Sequence, residues 1–325
     1  MRPKILVARA IFPDVINRLR SVFEVESNQE DRIFTYAEFT EKMRGKDGLF
    51  ITSSERIDAT AMAIAPTLRA ICNMAVGFNN IDIGAATAAS IMVTNTPDVL
   101  NQTTADLAWA LLMAASRRIT ESEHWLRAGK WDKWRYDTML GFDVHGSTLG
   151  IVGMGRIGQA IARRSIGFDM KVVYHNRSRL SPEQEAHSNN AVHVDKESLL
   201  RTADHVMLVL PYSAQSHHII GARELSMMKR TATLVNIARG GIVDDVALIK
   251  ALRCGEIAAA GLDVFENEPA LHPDFLELSN VVLTPHIGSA SEPTRRAMAE
   301  CATTNLIAAL AGQRPPNLLN QFVSI

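Results

Sequence analysis

Three charged residues of this chain, Arg239, Glu268 and His286, each follow closely on an apolar run that reads as a buried β-strand: Thr233 to Ile237, Gly261 to Phe265 and Val281 to Thr284. If these runs lie parallel in one sheet, all three side chains stand beyond the carboxyl ends of its strands. That is where doubly wound sheets bind ligands. A cation, a carboxylate and an imidazole gathered there suit the reduction of a small 2-oxo acid. A cation holds the substrate carboxylate and polarises the carbonyl, and an acid protonates the oxygen that becomes an alkoxide as hydride arrives. Arg239 takes the first role and His286 the second. Glu268 can hydrogen-bond to the imidazole, orient it and stabilise the imidazolium. Taken singly, each has an ordinary structural explanation: a surface arginine, a loop carboxylate beside Pro269, a structural histidine. Their convergence carries the argument. Of the ten histidines, His187, His193, His217 and His218 lie in polar or turn-like surroundings, and only His286 ends a buried run, between Pro285 and Gly288.

Such a site needs a hydride donor, and the sequence provides a place for one. Gly153-Met154-Gly155-Arg156-Ile157-Gly158 follows the strand-like run Leu149 to Val152 and opens a predicted helix, Gln159 to Gly167. In that context Gly153 permits a tight turn, Gly155 lets backbone approach a pyrophosphate, and Gly158 allows close helix packing, with phosphates at the positive helix end. The end of the next strand chooses between the nicotinamide cofactors, because an Asp or Glu there accepts hydrogen bonds from the ribose of NAD. Here the chain reads Tyr174-His175-Asn176-Arg177-Ser178-Arg179, with no acid. One or two guanidiniums and a hydroxyl stand where a 2′-phosphate would sit, so NADPH is expected, with NADH the weaker cofactor.

The elements that position these groups alternate along the whole chain. Strands are expected at Lys4 to Ala8, Glu24 to Ser27, Gly48 to Thr52, Arg69 to Met74 and Ile91 to Asn95. One long helix is expected over about Thr103 to Ala128, capped by Thr103 or Thr104, with Leu107, Leu111 and Leu112 on its apolar side. A second strand series follows at Leu149 to Gly153, Lys171 to Asn176, His205 to Leu210, Thr233 to Ile237, Ala258 to Asp263 and Val281 to Thr284. A final helix, about Glu292 to Ala311, stops at Gly312 and Pro315-Pro316 and is expected to pack back on the first series. The pattern implies an α/β protein of two doubly wound parallel-sheet, Rossmann-like domains.

Composition narrows the function classes. At 325 residues, 47% hydrophobic and 21% charged, the chain has apolar content for two cores. A net charge of −1 gives no field favouring nucleic acid or an anionic membrane. Cys72, Cys254 and Cys301 are scattered and odd in number, which argues against a disulfide framework and against zinc, and fits a cytoplasmic setting. The apolar run Ile5 to Ala8 is too short for a signal peptide, and no run is long enough to span a bilayer.

Together, Gly150 to Gly158, Asn236-Ile237-Ala238-Arg239-Gly240-Gly241, Gly261-Leu262-Asp263-Val264-Phe265-Glu266-Asn267-Glu268-Pro269 and Thr284-Pro285-His286-Ile287-Gly288 resemble the D-2-hydroxyacid dehydrogenase family over nearly the whole chain. The resemblance implies catalytic roles for Arg239, Glu268 and His286. It implies a substrate domain from residues 1–99 plus 290–325, a cofactor domain from residues 100–289 inserted between them, and a cleft that closes on ligand. Asp263, counted with the cofactor positions, matches a family position that tunes ionisation of the site. Asn73 to Asn80 is similar to the family's substrate loop, in which the amides of Val76 and Gly77 bind the substrate carboxylate.

The Asn176-Arg177-Ser178 stretch and the region Trp131 to His145 resemble glyoxylate/hydroxypyruvate reductases and 2-ketogluconate reductases. In those dimers a tryptophan placed like Trp134 can reach the partner's active site, or sit at the rim of the contact. A homodimer through residues 103–146 is therefore expected. Formate dehydrogenase relatives pair their histidine with glutamine, whereas this chain has Glu268. Two further readings stay open at this point: an NAD-linked dehydrogenase of another 2-hydroxy acid, and a dinucleotide-sensing binding protein of the corepressor kind.

Overall fold

The computed structural model describes residues 2–320, which divide into two compact units. The first runs to Leu100 and resumes at Ala290, and the second is Asn101–Ser289.

The first unit alternates strand and helix: β1 (Lys4–Val7), α1 (Pro13–Val22), β2 (Glu24–Ser27), α2 (Tyr36–Met43), β3 (Gly48–Ile51), α3 (Ala59–Ile64), β4 (Ala70–Asn73), α4 (Ile83–Ala88) and β5 (Met92–Thr94). All pairings are parallel, in the order β2-β1-β3-β4-β5. Central β3 and β4 are buried at every residue, which is why they read as continuous apolar runs rather than alternating ones. Local signals set several helix starts. Thr35 and Glu38 form a reciprocal capping box on α2, while Asp58 and Asp82 cap α3 and α4 by accepting the amides of Ala61 and Ala85.

The second unit begins with α5 (Asn101–Ser116) and α6 (Ile119–Arg127). Then come β6 (Thr148–Val152), α7 (Arg156–Arg164), β7 (Lys171–His175), α8 (Pro182–His187), β8 (Val192–His193), α9 (Lys196–Thr202), β9 (His205–Leu208), α10 (Ala222–Met227), β10 (Thr233–Asn236), α11 (Asp245–Cys254), β11 (Ala259–Leu262) and β12 (Val281–Leu283). These seven strands are all parallel, ordered β12-β11-β10-β9-β6-β7-β8. Counted from β6, that is the 3-2-1-4-5-6 arrangement of dinucleotide-binding sheets with one further strand, and the order reverses between β6 and β9. The expectation of two doubly wound parallel sheets therefore holds.

The last helix, α12 (Glu292–Leu310), belongs to the first unit and lies against β3 and β4. A Cβ on Gly48 would stand 2.9 Å from side-chain carbons of both Leu306 and Leu310, so glycine in β3 is what lets this helix approach. Beyond it, Asn320 accepts the amide of Val93 at 2.9 Å and donates to the carbonyl of Ile91 at 2.7 Å, covering the open edge of β5.

Several expectations need correction. The single helix over 103–128 is two helices, broken at Arg118, whose φ is +54°. The carbonyl of Ser116, which a continuing helix would offer to residue 120, instead accepts the amide of Phe142 at 2.9 Å as residues 140–142 pass alongside. Helix α5 also begins at Asn101, so Thr103 and Thr104 lie inside it rather than at its cap. Helix α7 starts at Arg156, three residues earlier than expected, and passes into a 3-10 turn, Ser165–Phe168. The two-residue edge strand β8 has no run long enough to be read in advance. Among the described residues no helix is long and apolar enough to cross a membrane.

Candidate active site

Each predicted catalytic residue stands a few residues beyond the carboxyl end of a strand, and in each case a side chain bonded to nearby backbone fixes the turn. After β10, the buried Asn236 accepts the amide of Ala238 at 3.0 Å and donates to the carbonyl of Arg239 at 3.2 Å. Arg239 is thereby held in a tight turn, its guanidinium half-buried and donating to the carbonyl of Ala238 at 2.7 Å. Burial pulls its pKa down and the Glu268 charge pushes it back up. A guanidinium stays charged through such opposition. The next residue admits no side chain, because a Cβ on Gly240 would be 1.7 Å from the carbonyl oxygen of Phe265. The turn after β10 is therefore pressed onto the segment after β11.

That segment carries Glu268, which uses both carboxylate oxygens. Its Oε1 accepts the amide of Phe265 at 2.9 Å and its Oε2 pairs with His286 Nδ1 at 2.7 Å. Burial alone would push the Glu268 carboxyl up. The hydrogen bond and charge of His286, the Phe265 amide and the Arg239 charge together outweigh it and hold the group below its ordinary value. A depressed folded pKa contributes stability that is present above the unfolded value and is lost as pH falls through the folded one. Denaturant midpoints of the protein are accordingly expected to fall more steeply on acidification than those of Glu268→Gln. Parallel curves for the two proteins would contradict the pairing.

His286 is placed by Asp263, which is only 1% exposed at the end of β11. The Asp263 carboxylate accepts the Thr284 hydroxyl at 2.7 Å and the amides of Ile287 and Gly288 at 2.8 Å each. Its carbonyl accepts the amide of His286 at 3.0 Å. These bonds wrap residues 284–288 around one carboxylate and hold His286 at φ +53°, a conformation uncommon outside glycine. Burial raises the Asp263 pKa against the pull of its donors. The structure thus gives Asp263 the part of a support for the histidine loop.

The glycine fingerprint lies at the reversal of strand order. Gly153 has φ +102°, and a Cβ there would be 2.6 Å from the carbonyl oxygen of Val209 after β9. A Cβ on Gly158 would be 2.5 Å from the carbonyl oxygen of Gly153, so the turn and the first turn of α7 touch backbone to backbone. Around Gly155 there is open space instead. Gly155 is also the N-cap of α7, so the positive end of the helix opens where nothing crowds it. A diphosphate fits that combination. Met154 is buried, and its amide donates to Asn176 Oδ1 at 2.7 Å, so Asn176 ties the end of β7 to the glycine turn.

Beyond β7, Arg177 and Ser178 are exposed, and Arg177 has no side-chain partner among the described residues. Arg179 does not share that freedom: it makes two 2.8 Å bonds to Glu185, which with Tyr174 hold the Glu185 carboxyl down at about 2. Of the one or two guanidiniums expected beside a 2′-phosphate, that of Arg179 is thus committed to Glu185.

In the first unit, Val76 and Gly77 follow β4. Their carbonyls accept Asn95 Nδ2 and Asn73 Nδ2, each at 2.8 Å, and Asn80 donates to the carbonyls of Thr52 and Glu55. With the carbonyls turned inward, the amides of Val76 and Gly77 donate to no protein acceptor among the described residues. Paired free amides of this kind suit an anion. Trp134 lies in the irregular stretch between α6 and β6 and is 80% exposed, with Trp131, Tyr136 and Leu140 also largely in solvent.

Sequence reasoning missed the supporting asparagines, Asn73, Asn95 and Asn236. Their signal was present: each is a polar residue at the end of an apolar strand, where burial requires a backbone partner.

Known proteins resemble this chain over nearly its whole length. Residues 109–288 match the family described as D-isomer specific 2-hydroxyacid dehydrogenase, NAD binding domain. The chain is 48% identical over 327 residues to a glyoxylate reductase of Thermococcus onnurineus (strain NA1), covering 99% of this chain and 97% of the relative. A crystal structure of the TT0316 protein of Thermus thermophilus superposes with a TM-score of 0.89 at 42% identity, covering 97% of this chain and 99% of that one. A third similar protein is the NADPH-dependent glyoxylate/hydroxypyruvate reductase of Sinorhizobium meliloti, solved in complex with NADP and malonate. Its TM-score is 0.88 at 33% identity, over 100% of this chain and 98% of that one.

Proposed function

Because this chain belongs to the D-isomer-specific 2-hydroxyacid dehydrogenase family, we propose that it reduces glyoxylate, hydroxypyruvate or 2-ketogluconate to the corresponding D-2-hydroxy acid with NADPH. The observation that carries this reading is the 2.7 Å pair of His286 and Glu268, placed with the half-buried Arg239 beyond the ends of adjacent strands β10, β11 and β12. Gly153 to Gly158 would hold a nicotinamide dinucleotide, which would supply the hydride when bound. The residues supply the rest.

Arg239 binds the 2-oxo acid and draws electron density toward the carbonyl oxygen, favouring the charge that develops there. His286 donates its Nδ1 proton to Glu268 as a lasting hydrogen bond, which leaves Nε2 to give a proton to the new alkoxide. In the reverse direction the same nitrogen accepts it. Glu268 is negative beside the ring, so it stabilises the imidazolium that carries the transferable proton. The amides of Val76 and Gly77 take the substrate carboxylate, residues 1–99 and 290–325 form the substrate domain, and residues 100–289 form the cofactor domain.

NADPH preference rests on Arg177 and Ser178 together with the lack of an acid after β7. The exposed Trp131, Trp134, Tyr136 and Leu140, all within residues 131–140, support a homodimer, since large apolar side chains left in solvent along one segment mark contacts. Three unpaired cysteines fit the cytoplasm.

The test is oxidation of NADPH and NADH by purified protein, followed by absorbance with each of the three acids. Oxidation of NADPH much faster than NADH with at least one acid is expected. Arg177→Ala should weaken NADPH about tenfold, the loss of one charge-assisted contact of about 1.5 kcal/mol, and leave NADH little changed. Cofactor binding without oxidation of either would move the assignment to a dinucleotide sensor, and equal rates with both would remove the cofactor preference.

A further inference from the structure

His217 and His218, read from sequence as lying in polar or turn-like surroundings, have no part in the proposed reaction, yet the fold does not leave them apart. Their rings stack with centroids 3.9 Å apart. Glu266 meets them from the segment after β11, with its Oε1 2.6 Å from His218 Nε2. One ligand atom from each of the three residues lies within 4.8 Å of the other two. Gly241, at φ +77°, faces this group: a Cβ there would stand 3.0 Å from the Tyr212 ring, 3.4 Å from His217 Nδ1 and 3.5 Å from Glu266 Oε1. The glycine leaves open the space that these atoms line. Negative charge borders it as well, since Asp244 Oδ2 lies 4.0 Å from His218 Nδ1 and Asp245 accepts the amide of Glu266 at 3.1 Å.

The geometry points to a binding site for a divalent transition-metal ion of the Zn2+ class, ligated by His217, His218 and Glu266 and separate from the Glu268–His286 pair. Two imidazoles and a carboxylate form a zinc donor set that leaves a fourth position for water, and they are too rich in nitrogen for Mg2+ or Ca2+. His217 is exposed, so an ion has a way in. Tetrahedral ligands about 2.05 Å from zinc are about 3.3 Å from one another. The 2.6 Å contact between His218 and Glu266 therefore has to open by less than about an ångström, the ion replacing the proton they share, while any pair near the 4.8 Å limit has to close by about 1.5 Å.

The position of this site gives the ion a consequence. Gly241 is two residues after Arg239 and Glu266 two before Glu268, and the turns that contain them are the ones Gly240 presses together. An ion that repositions Glu266 displaces a segment whose Phe265 amide is held by Glu268. Bound metal is therefore expected to slow turnover.

The experiment uses the full chain, stripped of metal with a chelator and then titrated with Zn2+ by calorimetry and with Co2+ by its visible absorption. One ion per chain and a tetrahedral Co2+ spectrum are expected. His218→Ala, His217→Asn and Glu266→Gln should each weaken binding by at least about tenfold, remain folded by circular dichroism, and shift inhibition by Zn2+ by the same factor. These binding measurements need no turnover, so they stand or fall independently of the proposed reaction. Unchanged affinity in the three folded variants would overturn the site. So would Zn2+ binding that disappears only in Glu268→Gln, which would put the metal on the Glu268–His286 pair.

Discussion

Alanine at position 286 is expected to lower the rate of 2-oxo-acid reduction by about 10²–10⁴-fold while dinucleotide binding survives, the loss that accompanies removal of a positioned general acid. The imidazole is the group in this turn placed to deliver a proton, and the structure commits several bonds to holding it. The carbonyl of Asp263 fixes its backbone amide, the carboxylate of Asp263 wraps the loop, and Glu268 fixes Nδ1. None of these bonds involves the glycine turn after β6, so the cofactor site should keep its shape. Cofactor affinity from fluorescence quenching and single-turnover rates from absorbance would be measured on the same preparation. A rate within about tenfold of the wild type would mean that another group, or water, supplies the proton.

Arg239→Ala should cost about 10²–10³ in kcat/KM, the size of effect seen when one donor to a developing oxyanion is removed from a preorganised site. Its guanidinium is half-buried, where charge interacts more strongly than in water. Asn236 holds the backbone of the turn and is untouched by the change. Arg239→Lys should restore little, because an ammonium is a point charge and cannot present the planar fork that grips a carboxylate and a carbonyl together. Full activity in the lysine variant would show that only charge matters there, and unchanged turnover in Arg239→Ala would remove the residue from the mechanism.

The difference in legibility between parts of this fold has physical causes. Strands such as β3, β9 and β10 are buried at every residue, so each had to be apolar at its centre, visible without the structure. The glycine fingerprint was legible because close backbone contacts permit no other residue at Gly153 and Gly158. The break between α5 and α6 was not, since it depends on the Phe142 amide, which arrives from residues well downstream to take the Ser116 carbonyl. Nothing local in residues 113–119 demands it. Whether one guanidinium or two would be free beyond β7 was left open for a similar reason: the partner of Arg179, Glu185, sits on the next helix, and that pairing is made by packing.

The sequence alone determined the alternation of strands and helices, the parallel doubly wound class, the residue types available for chemistry and the strand ends at which they occur, because burial periodicity and glycine sterics are local properties of the chain. Tertiary structure decided which of those groups meet. It paired His286 with Glu268 rather than with Glu266, gave Glu266 to His218, and turned Asn73, Asn95, Asn236 and Asp263 inward as supports. The pairs of His286 with Glu268, His218 with Glu266, Asn95 with Val76 and Asp263 with Gly288 are contacts of about 3 Å between residues on different turns. Such contacts depend on how neighbouring strands register and how close their backbones come, and no stretch of sequence contains that information by itself.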